Sequence, residues 1–126
     1  MTMSTVTLWL DIPATEVLTS NQRLHWGERA RRTRALRWRA TLAYRAAGKP
    51  RLEAAHCVAT LTYRDQRRRD DHNIMPTLKA CVDGVVAAGL LPDDNHKHLV
   101  GPDIRVTEPD REQSGYLHVE LRFEGH

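Results

Sequence analysis

The chain has 126 residues, enough for one domain with its own core and too few for two ordinary ones. Hydrophobic residues make up 40% of it, which excludes a disordered tail, and no apolar run approaches the roughly 18 residues of a membrane span. The net charge of +3 conceals an asymmetry: residues 1–69 hold 14 Lys/Arg against 5 Asp/Glu, whereas residues 70–126 hold 5 against 11.

Val6, Leu8, Leu10 and Ile12 alternate with Thr5, Thr7, Trp9 and Asp11, the period of a half-buried strand that Pro13 ends. Residues 14–21 read as a loop closing on Ser20 and Asn21, either of which suits a helix N-cap. A helix is predicted from about Gln22 to Ala47, with Ala35, Trp38, Leu42 and Ala46 as its buried stripe. Arg29, Arg31, Arg32, Arg34, Arg37, Arg39 and Arg45 occupy much of the remaining surface, and Gly48-Lys49-Pro50 stops the helix. Ala55, Cys57, Ala59, Leu61 and Tyr63 mark a second strand, which runs through the basic turn Arg64–Arg69 into Asp70-Asp71-His72-Asn73.

A second helix follows from about Ile74 to Ala88, with Ile74, Leu78, Cys81, Val82, Val85 and Val86 on its apolar face. Pro76 fits its first turn and Gly89 its end. Leu99-Val100 and Ile104–Val106 suggest a strand broken at Gly101-Pro102, and Leu117, Val119, Leu121 and Phe123 a final strand after a hairpin loop at Asp110–Gly115. The order strand, helix, strand, helix, strand, strand predicts a single α+β domain over residues 1–126, a mixed layer with helices packed on one small sheet. Cys57 and Cys81 sit in apolar patterns without a CxxC, so neither a disulfide framework nor a zinc knuckle is expected. His96 and His98 read as solvent-exposed. With no signal-peptide pattern, a soluble, cytoplasmic protein is expected.

The basic half points to a polyanion partner, and the acidic half beside it to a cation that would relieve the repulsion. The plainer reading is a solvated Arg-rich helix with ordinary surface acids. Chemistry-bearing residues concentrate between Asp70 and Asp94. Steps of three and four put Pro76, Lys79 and Asp83 on one helix face, away from Val82 and Val86. Asp93 and Asp94 follow the helix, about 20 Å from Asp70 along its axis, so the fold or a partner subunit must close that gap if they share a site. Converging oxygen ligands would suit Mg²⁺ or Mn²⁺, ions that orient water and steady a leaving alkoxide, and a lysine beside them would stabilise a phosphate. Taken singly, Asp70, Asp71 and Asn73 also fit helix capping, Lys79 and Asp83 a surface ion pair, and Asp93-Asp94-Asn95 a polar turn.

Arg67-Arg68-Arg69-Asp70-Asp71-His72-Asn73, then Lys79 with Asp83 four residues on, then Ala88-Gly89 and Asp93-Asp94, resembles the RusA-type Holliday junction resolvases. That family's pattern is a basic run, D-x-D-N, a lysine, an aspartate four later and a double aspartate after an A-G turn. Pro13, Ser20-Asn21 and His25-Trp26 are similar to its N-terminal loop. The resemblance implies a small homodimeric, Mg²⁺-dependent endodeoxyribonuclease of bacterial or phage origin that cuts four-way junctions in branched double-stranded DNA, without a membrane partner. It implies Asp70, Lys79 and Asp94 as catalytic residues, and Asp70, His72, Asp83, Asp93 and Asp94 as the positions from which metal ligands come. Two departures stand out. His72 occupies the place of the second aspartate, and imidazole suits Mn²⁺ better than Mg²⁺. Three extra residues separate Asn73 from Lys79, nearly one helical turn, which returns the lysine to the same face.

On this reading Arg29 and Arg32 of the first helix and Arg67, Arg68 and Arg69 hold phosphates, and branched shape rather than sequence is recognised. Trp26 is a candidate wedge at a junction centre, while Trp38 is expected in the core. Two alternatives remain. Asp71, His72 and Pro76 resemble part of the HNH-type nuclease motif, with Asn95 and His98 completing its set. A module that binds branched DNA without cutting it is the other.

Overall fold

The alternating segments become strands of one sheet. The computed structural model describes residues 4–67 and 70–126. Its strands are β1 (Thr5–Ile12), β2 (Ala55–Tyr63), β3 (Leu99–Val106) and β4 (Leu117–Gly125), and its helices are α1 (Trp26–Ala46) and α2 (Met75–Ala88). Short 3-10 turns at Ala14–Glu16 and Asp71–Ile74 precede the helices. The sheet order is β1-β4-β2-β3, with β4 antiparallel to both its neighbours and β2 parallel to β3. The fold is α+β, two helices on one four-stranded mixed sheet. Val6, Leu8, Leu10 and Ile12 of β1 and Leu117, Val119, Leu121 and Phe123 of β4 are buried beneath the helices, while Thr5, Trp9 and Asp11 face outward. Among the described residues no helix is long and apolar enough to cross a membrane.

One sequence expectation about the sheet is corrected. Residues 110–115 are not a hairpin loop, because β2 lies between β3 and β4. The connection instead crosses the end of β2, where the Gln113 side-chain amide donates to the Thr62 carbonyl at 2.9 Å. β3 runs as one strand, and its ladder with β2 is interrupted where the sequence suggests a break: Val100 pairs with His56 and Asp103 with Val58, so Gly101-Pro102 fall at the register shift. Gly101 sits at φ 98°, and a Cβ there would strike the Cys57 carbonyl, so glycine is what lets the two strands close up.

The first helix begins later than expected and buries a different stripe. His25 is its N-cap, not Ser20 or Asn21, and its Nδ1 accepts from the Gly27 N–H at 3.1 Å. Asn21 instead accepts from the Thr19 hydroxyl within the preceding loop. Leu36, Ala40 and Tyr44 are buried, whereas Trp38 and Leu42 are 53% and 46% exposed. Both stripes obey the helical period, and packing against α2 decides between them. Gly84 of α2 meets the α1 backbone so closely that an added Cβ would lie 2.6 Å from the Arg37 carbonyl oxygen. That contact turns the Leu36-Ala40-Tyr44 side inward and leaves Trp38 outside, with the Arg45 guanidinium 5.1 Å over its ring.

α2 is buried on two sides. Leu78, Cys81, Val82 and Val85 make the apolar face that the periodicity marks, and Thr77, Ala80 and Gly84 make a second, small-residue side. Gly89 ends the helix at φ 126°. Cys57 and Cys81 are free and buried, and burial pushes both thiols up to about 12.

Two outcomes follow from this packing. Gly84→Ala must push α1 and α2 apart, and it is expected to cost about 1–3 kcal/mol in urea denaturation. Each folded thiol titrates above its ordinary 9.0, so its contribution to stability is complete below pH 9 and is lost as pH rises toward 12. Unfolding midpoints should fall with pH in that window, and a thiol-specific reagent at pH 8 should label neither cysteine until the chain unfolds.

Candidate functional site

Parallel neighbours need a crossover, and α2 is the crossover between β2 and β3. The segment 89–98 joins the end of α2 to the start of β3 and lies against the helix flank. It does so through a polar turn in which the Asp93 carboxylate accepts from the Asp94 N–H at 2.7 Å and from the Asn95 side-chain amide at 3.1 Å. Asp93 is thereby turned into its own loop, and Asp94 is presented to α2.

Lys79 meets it there. The Lys79 ammonium lies 3.2 Å from Asp83 Oδ1, one helical turn on, and 4.0 Å from Asp94 Oδ2. The fold thus brings Asp94 to Lys79 within one chain, while Asp70 lines a different cleft. Asp83 also lies 4.0 Å from Arg37 of α1, so charges alternate in the order Arg37, Asp83, Lys79, Asp94. Lys79, Asp83 and Asp94 line a cleft of about 210 Å³ whose walls are Met75, Val82, Leu99 and Pro102. Val82 shares this cleft with Lys79, although the helical spacing places it on the opposite side; its side chain lies at the border of the two faces. Lys79 is two-thirds exposed and Asp94 nearly half, so a ligand reaches both from solvent.

Asp70 stands apart. Its carboxylate caps the 3-10 turn, Oδ1 accepting from the His72 N–H at 3.0 Å. It lines a second cleft of about 300 Å³ with Asn21, Asn73, Tyr63 and Tyr116. One 3-10 turn and the first turn of α2 separate it from Lys79, a rise of about 15 Å. His72 is exposed, and Asp71 lines a further cleft beside Asp65 and Glu108. Asp70, His72, Asp83, Asp93 and Asp94 are thus not one cluster, and among the described residues no group of three or more His, Cys, Asp or Glu side chains is placed to hold a metal ion. The oxygen donors suit Mg²⁺ in kind, but this arrangement does not assemble a coordination shell.

The arginines divide similarly. Arg32 donates to the Val17 carbonyl at 2.7 Å and Arg29 reaches the Gln22 carbonyl at 3.5 Å, so both fasten the 17–22 loop to α1. Arg67 is exposed and borders the clefts of both Asp70 and Asp71. Arg68 and Arg69 lie outside the described residues. Trp26 is 78% exposed, its ring 5.4 Å from that of His25. For the HNH-type set, His72 precedes α2 whereas Asn95 and His98 follow it, and His98 Nδ1 lies 2.9 Å from the Glu53 carbonyl oxygen.

Thr77 is the residue that the sequence reading overlooked. It is fully buried, its hydroxyl accepts from the Leu18 N–H and donates to the Leu18 carbonyl, both at 2.7 Å, and among the described residues no other Ser, Thr, Asn, Gln, His or charged residue is buried. With the Ser20 N–H donating to the Asn73 carbonyl at 2.9 Å, it staples the loop bearing Asn21 to the start of α2. A hydroxyl inside an apolar helical run was the available signal. No family model matches the chain, and no curated protein shows significant similarity to it.

Thr77→Val keeps the shape and strands two backbone groups. Urea denaturation should show a loss of about 2–4 kcal/mol, with most of it restored in Thr77→Ser.

Proposed function

We propose that the chain is a Mg²⁺-dependent endonuclease that cuts four-way DNA junctions, acting as a homodimer in the manner of the RusA-type resolvases that its 67–95 region resembles. The observation that carries this reading is Lys79 held between Asp83 and Asp94 in an open cleft. Its ion pairs with the two carboxylates orient the ammonium at the cleft. A phosphodiester entering the cleft would set a non-bridging oxygen against that ammonium, where developing negative charge is stabilised. Asp94, in ionic contact with Lys79 and open to solvent, is the carboxylate suited to orient an attacking water and take its proton. Asp83 holds the lysine from behind and is a positioning residue. Mg²⁺, when bound, would supply further charge at the phosphate, and Asp94 and Asp70 are the ligands the resemblance implies. Since the described carboxylates do not gather into one shell, no step is assigned to the ion.

A homodimer would supply two such centres related by a two-fold axis, as two symmetric cuts require. The basic half of the chain supports a polyanionic substrate.

The test uses a labelled four-way junction and a matched linear duplex, each in Mg²⁺ and in Mn²⁺. Paired nicks on the junction alone are expected. Lys79→Met and Asp94→Asn should each slow cutting by about 100-fold or more while the fold persists. Cutting in Mn²⁺ only would trace to His72, and His72→Asp should then restore Mg²⁺ activity. Tight junction binding without cutting in either metal would replace this reading with a non-catalytic binding module, and indifference to the junction would end it.

A further inference from the structure

A second basic feature lies where the resemblance assigns nothing. α1 and the C-terminal half of α2 enclose an open groove of about 490 Å³. Its rim carries Arg34, Arg37, Arg45 and Lys49, its floor is Gly84 and Ala88, and no carboxylate lines it. Arg34, Arg45 and Lys49 are exposed, and Arg37 is 42% exposed. These side chains differ from Arg29 and Arg32, which are engaged with the 17–22 loop. Arg37 is paired with Asp83, whereas among the described residues no carboxylate lines the groove beside Arg34, Arg45 and Lys49, so the rim keeps a net positive charge that an anionic ligand relieves.

The groove adjoins the lysine centre through one ion pair. Arg37 on its rim is the residue that reaches Asp83, and Asp83 in turn holds Lys79. A chain of phosphates leaving the Lys79 cleft meets Arg37 next and then the rest of the rim. From Arg34 to Arg45 the helix rises about 16 Å, the length of about five base pairs. Beside the groove the Arg45 guanidinium lies 5.1 Å over one face of the Trp38 ring, so that face presents positive charge rather than a bare ring for base stacking. The groove therefore suits the backbone of a duplex rather than the bases of a single strand.

We infer that this α1/α2 groove is a phosphate track, holding the backbone of a double-stranded DNA arm that runs out from the Lys79 cleft. The inference rests on the endonuclease reading for its substrate, but it concerns binding and not cutting.

The experiment measures binding in EDTA, so that cleavage plays no part. Fluorescence anisotropy follows a labelled four-way junction and a labelled duplex as salt is raised, for the full chain and for Arg34→Ala/Arg45→Ala/Lys49→Asn. Asparagine is used at Lys49 because that residue sits at φ 56°. The triple variant should bind at least about 10-fold more weakly at moderate salt, and its slope of log K against log salt should shrink by about 2 to 3. Its thermal midpoint should be unchanged, and Arg34→Lys/Arg45→Lys should keep the wild-type slope. A triple variant with the wild-type slope overturns the track and leaves the endonuclease reading standing. A loss of affinity shared by the lysine variant assigns these residues a structural role and also overturns it. If the wild-type chain binds neither DNA, the track and the endonuclease reading fall together.

Discussion

The parallel pairing of β2 with β3 is the constraint on which the rest depends. Two parallel neighbours cannot share a tight turn, so the chain must cross the sheet between them, and α2 makes that crossing. The helix brings the chain back to the foot of the sheet, and the segment that joins it to β3 lies against the helix flank. That segment carries Asp94 to Lys79, and Leu99 and Pro102 of β3 line the cleft beneath them. The same crossover leaves β4 to enter between β1 and β2, which closes the sheet over a single apolar face.

α1 completes the layer through an unusually close approach. Gly84 admits the Arg37 backbone, and this contact fixes how α1 is rotated. The rotation has electrostatic consequences. It sets Arg37 against Asp83 and turns Trp38, Arg45 and Arg34 outward along one groove. Packing and charge are thus coupled at one glycine: the residue that lets the helices touch also aligns the positive rim with the lysine centre. The Thr77 staple does similar work at the other end of α2, where it holds the 17–22 loop and with it Asn21 beside Asp70.

Much of the fold was legible because period-two and period-3.6 patterns are local. β1, β2, β4 and α2 lie where alternation and helical spacing put them. What local pattern does not contain is the partner. The 110–115 connection reads as a hairpin because two alternating runs flank a short polar stretch, yet the strands it joins do not pair. The stripe of α1 was ambiguous because Ala35-Trp38-Leu42 and Leu36-Ala40-Tyr44 have equivalent spacing, and only Gly84 on another element chooses between them. At the site, the Lys79–Asp83 pair follows from helical spacing, whereas its meeting with Asp94 is a tertiary fact. Asp70 is readable either as a ligand or as a cap; one of its carboxylate oxygens makes the cap's hydrogen bond to His72.

The central claim is that Lys79 and Asp94 together form the centre at which a phosphodiester is handled. A crystal structure of the full chain bound to a four-way junction tests it most directly. The account predicts the scissile phosphate within hydrogen-bonding reach of Lys79 Nζ and beside the Asp94 carboxylate, with the adjoining arm along the α1/α2 groove. A scissile phosphate seated in the Asp70 cleft, with Lys79 still turned to solvent, would contradict it.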